Sequence, residues 1–391
     1  MPQSQQGPLA GLRILEFGQI AAGPFAGMLF ADLGADVVKV ERPDVGDGMR
    51  EWPPFFSNDE GEPFSSNFSS LNRNKRSIAV DFKSPEQLAR LHELCAKADV
   101  IVENYRPGVL AKFGLSYEAL SAANPKLVYC SISGYGQTGA YSQKGAFDVT
   151  IQAISGLMSV TGEEHGEPVK CGVPVADFAA GLYGAFSVVA AILQAERTGQ
   201  GTYVDCSMLG SVLGISALQT SEYYGNLTAP KRLGSAHPRN APYQGYQGSD
   251  KPFVIAAGND KLWREVCAAV DRPELADDPR FANQTLRARN QKELAGLLQA
   301  SFSLQTAAYW LKEFDRRGVP CAPINTYEDI LQDRVIAESG LIHELALPND
   351  TSTKTVGFPV KLTGYEFQIY RKPPLKGEHN DELFREWGSK P

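Results

Sequence analysis

In its first third the chain alternates short apolar runs with helical stretches, and this order constrains the fold more than any other feature. Residues 12–17 (LRILEF) read as a strand, a turn carrying Gly18, Gly23 and Pro24 follows, residues 25–33 read as a helix, and 36–41 (DVVKVE) as a second strand. Further strands are expected at 77–82, 100–103 and 127–132. Between them Ser84-Pro85-Glu86-Gln87 opens a helix reaching about residue 98: serine caps, proline takes the first helical position and glutamine the capping-box position. Strands joined through helices pair in parallel, and a parallel sheet needs cover on both faces. The fold class is therefore α/β, with a parallel sheet covered on both faces.

After Asp177 an apolar helix runs on until Gly199 and Gly201 stop it, followed by a strand at 203–206 and a helix over 207–224 without obvious breakers. The texture then changes: residues 230–252 are turn-rich, 253–257 form one strand, and mostly helical sequence continues to Arg317. Strand-like pieces return after Val319, notably at 355–362. The expected division is a large domain over 1–224, a small α+β domain over 225–325, and a linker returning to the large domain over 326–391.

Composition removes several function classes. A formal charge of −7 argues against general nucleic-acid binding, which calls for a basic face. The six cysteines form no CxxC pair and read as reduced thiols; the five histidines form no HExxH, so no metal is expected. No apolar run is read as reaching the ~20 residues of a spanning helix, and no secretory leader is apparent. No membrane partner is expected.

Three features carry candidate chemistry. Gly18 and Gly23 lack GxGxxG spacing and Pro24 removes an amide donor, so a structural βα turn is favoured over a dinucleotide site, even with Glu41 closing the second strand. Arg42, Arg73, Lys75, Arg76, Lys83, Arg106 and Lys112 follow or flank predicted strands, which suits a multiply phosphorylated ligand at the carboxyl edge of a sheet; a solvated rim with surface pairs is the plain alternative. Asp177 stands at a helix start, where most aspartates only cap. Ala179, Ala180, Gly181 and Gly184 beside it suggest open space, and a roomy ionised carboxylate is a potential nucleophile.

Over nearly its whole length the chain resembles the class III (CaiB/BaiF-type) coenzyme A transferases. The resemblance is carried by Pro8–Phe17 with Ala21-Ala22-Gly23-Pro24, by LGADVVKVER at 33–42, NRNKRSIAVD at 72–81, VENYRPG at 102–108, 131–139 (SISGYGQTG), the Asp177 segment and PLKGEH at 374–379. Within the family the wording is closest to enzymes of dicarboxylates, especially in NRNKRSIAV, CSISGYGQTG and the stretch 234–244.

The resemblance implies an enzyme that moves coenzyme A from a donor, succinyl-CoA, to a carboxylic acid, a dicarboxylate of glutarate size, through aspartyl anhydride and aspartyl-CoA thioester intermediates on Asp177. It places coenzyme contacts at Ala21, Ala22, Arg42, Val80, Asp81, Phe82, Lys83, Asn104, Tyr105, Arg106, Lys112, Gly145, Ala146, Phe147 and Asp148. Lys112 replaces an arginine of some members, and the glycine-rich loop of the formyl-CoA enzymes is missing, which disfavours formate and oxalate. Candidates for the acceptor's far carboxylate are Gln137, Tyr141, His237 and Arg239, with a structural turn as the alternative role of His237. No tightly bound cofactor is implied, coenzyme A being a substrate. The resemblance further implies a Rossmann-like large domain built from the N-terminal half and the C-terminal tail, and an interlocked homodimer; a cytoplasmic location is expected, or the mitochondrial matrix if a transit peptide precedes this sequence. The rival readings are an acyl-CoA racemase or epimerase, which needs a general base, typically histidine, and a non-catalytic coenzyme-binding protein.

Overall fold

The computed structural model describes residues 7–58 and 61–387. The chain divides into two compact units: the described residues up to Leu157 with Lys170–Thr228 and those from Ala337 on, and a smaller unit of Met158–Val169 and Ala229–Ile336.

The large unit begins with β1 (Arg13–Phe17), α1 (Ala22–Asp32), β2 (Asp36–Glu41), α2 (Ser66–Asn72), β3 (Arg76–Ala79), α3 (Pro85–Cys95) and β4 (Val100–Glu103). It continues with β5 (Val128–Ser133), α4 (Asp148–Ile154), α5 (Val175–Thr198), β6 (Tyr203–Ser207), α6 (Met208–Ile215) and α7 (Ala217–Asn226). The six strands form one parallel sheet in the order β3-β2-β1-β4-β5-β6. Alternate side chains of each strand face opposite ways, so the sheet has two cores. Ile14, Val37, Val102 and Cys130 pack with α1 and α5, and Leu15, Val38, Ile78 and Ile101 pack with Leu91 and Leu94 of α3.

Serine caps α3 as its sequence predicts, Ser84 Oγ accepting from Gln87 N, but Gln87 Oε1 turns instead to Asp81 N at 2.9 Å. The expected helix over 207–224 breaks at Ser216, whose hydroxyl donates back to Val212 O at 2.8 Å. By length and composition α5 could cross a bilayer, contrary to the reading of no such run. One side of it is buried in the sheet core through Ala176, Ala180 and Val188, as in a core helix.

In the small unit β7 (Tyr243–Gln247), β8 (Pro252–Ala256) and, after the helices α8 (Asp260–Ala269), α9 (Gln284–Arg289), α10 (Gln291–Phe302) and α11 (Ala307–Arg317), β9 (Cys321–Pro323) form an antiparallel sheet in the order β9-β8-β7. Trp263, Phe281, Phe302, Trp310 and Phe314 fill its core. β7 lies in the stretch read as turns. Residues 158–169 also join this unit, against the expected boundaries: Gly234 N donates to Gly162 O at 3.0 Å and Lys292 pairs with Glu164 at 2.8 Å. The chain returns to the large unit at Ala337 rather than 326. There β10 (Ile342–Ala346) and β11 (Ser352–Val356) form a hairpin, and α12 (Asn380–Glu386) lays Leu383 and Trp387 on the α3 face.

Candidate active site

The chain leaves β1 for β2 on one side, while β4 pairs with β1 on the other, and ligands of such sheets bind outside the carboxyl ends at this reversal. Here the loops after β1 and β4 are tied together. Gln19 N donates to Asn104 Oδ1 at 2.8 Å, Asn104 Nδ2 to Gln19 O at 2.9 Å, and Gln19 Nε2 to Tyr105 OH at 3.2 Å. Ile20 takes a left-handed conformation, φ 65°, and its N–H donates to Asp47 Oδ1, while Asp47 Oδ2 lies 2.8 Å from the buried Lys39 ammonium. A Cβ on Gly23 would come 3.0 Å from Gly18 Cα, so these glycines serve the turn itself. Ala21 and Ala22 are buried behind it.

The seven flagged cations separate into two sets. Arg73, Lys75 and Arg76 are buried ion-pair partners: Arg73 of Asp32 at 2.6 Å, Lys75 of Glu16 at 2.6 Å, and Arg76 of Asp36 and of Glu386. They are structural, which corrects the single pattern read from sequence. Arg42, Lys83, Arg106 and Lys112 are exposed and follow the carboxyl ends of β2, β3 and β4. Val80 and Phe82 between them face inward, Phe82 against Phe17 and Phe113, and Asp81 accepts from Lys83 N at 2.9 Å. Past β5, Gly145 lies so close to Arg106 that a Cβ there would come 2.9 Å from Nη2; Ala146 packs on Gly134 and Phe147 is exposed.

Asp177 sits in the first turn of α5, at the third helical residue rather than the cap; the cap position is Pro174, which offers no side-chain oxygen. Asp148 substitutes for it from α4, Oδ1 accepting from Ala176 N at 2.8 Å. Gly181 lies against Ala22 O and Gly184 against Ile132, which sets the start of α5 at the carboxyl edge of the sheet. The small residues therefore allow close packing, and the open space expected from them is absent: Ala179 and Ala180 are buried. The Asp177 carboxylate accepts no hydrogen bond among the described residues. Burial, and secondly the negative charge of Asp148, push its pKa up to about 7.

Gln137 N donates to Asp205 Oδ2 at 3.0 Å, and its Nε2 is buried without a partner; Tyr141 is exposed, under the Lys144 ammonium. His237 and Arg239 belong to the small unit. There His237 Nδ1 accepts from Arg239 N and Asn240 N, each at 3.1 Å, so the ring holds its own turn. Among the described residues no group of His, Cys, Asp and Glu could hold a metal ion. Two features of the site escaped sequence reading: the capping role of Asp148, which no local pattern signals, and the buried Lys39, whose signal is a lysine flanked by valines within a strand.

A parallel sheet, a carboxyl edge bearing exposed cations and an unpartnered carboxylate at a helix start make this edge the candidate active site. The family model for CoA-transferase family III matches residues 9–380. The chain is 40% identical over 379 residues to the succinyl-CoA:glutarate CoA-transferase of Mus musculus, covering 97% of this chain and 86% of that one. It is 37% identical over 381 residues to the succinate–glutarate CoA-transferase of Agrobacterium fabrum, covering 97% and 95%. The crystal structure of a CaiB/BaiF family protein from Brucella suis superposes with a TM-score of 0.87 at 38% identity, covering 98% of this chain and all of that one. The chain belongs to CoA-transferase family III and is an enzyme with CoA-transferase activity; its substrates are CoA thioesters.

Proposed function

We propose that the enzyme transfers coenzyme A from succinyl-CoA to a dicarboxylate of glutarate size, with Asp177 as nucleophile. The observation that carries this is the Asp177 carboxylate, without a donor and held near pKa 7 at the carboxyl edge of the sheet. An ionised carboxylate stripped of hydrogen bonds is a stronger nucleophile than a solvated one. Its oxygen attacks the thioester carbonyl carbon, the C–S bond breaks, and coenzyme A leaves as thiolate from a mixed anhydride. The thiolate then attacks the aspartyl carbonyl carbon and expels the donor carboxylate, leaving an aspartyl-CoA thioester. The acceptor carboxylate attacks that thioester and releases thiolate, and thiolate attack on the acceptor's carbonyl frees Asp177 and the new acyl-CoA. Each step exchanges one anion for another, so no proton moves, and water must be excluded from the anhydride.

Arg42, Lys83, Arg106 and Lys112 are proposed to meet the coenzyme's phosphates, and the Gln19–Asn104 junction to line its path. The dicarboxylate preference is supported by the named activities of the two relatives above. A homodimer is supported by the apolar side chains that the large unit leaves open: a groove of about 710 Å³ lined by Phe25, Leu29, Leu182 and Phe186, with Phe186 74% exposed. The racemase alternative loses ground because the charged neighbour of Asp177 is Asp148, not a histidine. Mass spectrometry after mixing with succinyl-CoA alone tests the nucleophile. A coenzyme adduct on the peptide containing Asp177 is expected, and its absence overturns the mechanism.

A further inference from the structure

The stretch 145–148 enters from family resemblance as coenzyme contact, yet both carboxylate oxygens of Asp148 are engaged by the protein. Oδ1 accepts from Ala176 N at 2.8 Å and Oδ2 from Gln152 Nε2 at 2.6 Å. Gln152, one turn further along α4, is fully buried, and its Oε1 accepts from Cys171 N at 2.8 Å. Asp148 and Gln152 thus clamp both ends of the segment 171–176 that leads into the nucleophile's turn. Pro174, at the cap position, cannot do this. We propose that Asp148, anchored by Gln152, is the positioning residue of the nucleophile: it fixes the first turn of α5 and the direction of Asp177, and does not bind coenzyme A.

A like charge next to Asp177 has a further effect, which rests on the covalent reading above. Asp148 disfavours the ionised resting state of Asp177. That repulsion disappears when the Asp177 oxygen bonds to acyl carbon, or its carbonyl carbon to sulfur, because both intermediates are neutral at Asp177. Asp148 is the charged group that acts on Asp177 among the described residues.

The clamp makes a chemical prediction that a coenzyme contact does not. In Asp148→Asn the amide cannot accept from both Ala176 N and Gln152 Nε2, since one of its two positions is now a donor. In the double variant Asp148→Asn/Gln152→Glu the pattern closes again: the new amide accepts from Ala176 N and donates to the new carboxylate, whose other oxygen accepts from Cys171 N. Steady-state kinetics with succinyl-CoA as donor are read across pH. Asp148→Asn should lower kcat at least tenfold with KM for succinyl-CoA within twofold, and its acidic limb should move to lower pH, because a negative charge is gone. The double variant should recover kcat to within about fivefold of wild type. A tenfold rise in KM, an unchanged kcat, an unmoved limb or a double variant no better than the single one each overturns the proposal. Circular dichroism checks that the variants fold. If Asp148→Asn does not, Gln152→Met removes the anchor alone and should show the same loss of kcat without loss of KM; a KM effect overturns the proposal there too. Wild-type protein without an adduct on Asp177 would remove the covalent reading itself, whereas an adduct in wild type with none of these effects removes only the role of Asp148.

Discussion

The ammonium of Lys75 lies 2.6 Å from Glu16 Oε2, and both side chains are completely buried. Glu16 Oε1 is held by a second buried ammonium, Lys39, at 2.9 Å. Lys75 also donates to Pro24 O and Asn72 Oδ1, so one cation ties β1, the start of α1 and the end of α2 together. Desolvation dominates at Lys75 and pulls its pKa down to about 8 in spite of Glu16. Removing Lys75 leaves Lys39 alone to offset the two buried carboxylates of Glu16 and Asp47. Lys75→Met should therefore destabilise the protein by about 3–5 kcal/mol, and adding Glu16→Gln should recover part of that loss. Urea denaturation midpoints check both, and a single variant as stable as wild type contradicts the account.

Replacing Asp177 should separate activity from stability. Asp177→Ala and Asp177→Asn should both retain less than a few per cent of exchange activity, since neither can form the anhydride. Asp177→Asn should nonetheless melt higher than wild type. The folded carboxyl has a pKa near 7 against an unfolded value near 3.9, so its contribution is complete below pH ~4 and is lost as pH rises to 7. The amide has no such loss, and a gain on the order of 1–3 kcal/mol is expected at pH 8, after discounting for partial exposure. Melting curves at pH 5 and pH 8 should show a larger gap at pH 8.

The same ionisation governs the reaction. Only the carboxylate attacks, so kcat/KM should rise with pH and level off above the Asp177 pKa of about 7. A profile flat from pH 5 to 8 in wild type would show that the free enzyme's Asp177 is already ionised, against its donor-free setting.

Arg42 is exposed at the carboxyl end of β2 and only loosely paired with Asp44, at 3.8 Å. It is free to turn to a phosphate. Arg42→Ala should raise KM for every acyl-CoA donor by roughly 10–100-fold, the scale of a charge-assisted hydrogen bond, and leave the acceptor's KM nearly unchanged. An effect confined to the acceptor would place the coenzyme elsewhere.

For the acceptor, the ratio of kcat/KM for glutarate over valerate measures what a cation contributes at the far carboxylate. The expected preference is roughly 1.5–3 kcal/mol, falling in Arg239→Ala. His237→Ala should act differently, by loosening the turn that its Nδ1 holds. Equal values for the two acids in wild type would end the dicarboxylate assignment.

The strands at 36–41 and 100–103 are legible to the residue because both of their faces are buried and their valines and isoleucines favour extended backbone. The start of the helix at 85–95 is equally legible from Ser84 and Pro85, as such caps are local interactions between near neighbours, whereas its end, read near residue 98, falls at Cys95. The motif segments around Asp177 and Arg42 identify the family for the same reason: they are contiguous in the chain. What lies beyond sequence depends on partners far apart along it. Nothing near Arg73 or Lys75 distinguishes them from Arg42; the buried carboxylates of Asp32 and Glu16 do, and only the packed sheet brings those together. β7, written Tyr-Gln-Gly-Tyr-Gln, has little strand character until β8 pairs with it. The sequence by itself thus determined the α/β alternation and the family, through local propensity and contiguous motif. The tertiary structure decided which cations are free, that Asp148 caps α5 where Pro174 cannot, and that the glycines and alanines after Asp177 are close-packed, because burial and hydrogen-bond pairing are properties of the neighbours a fold supplies.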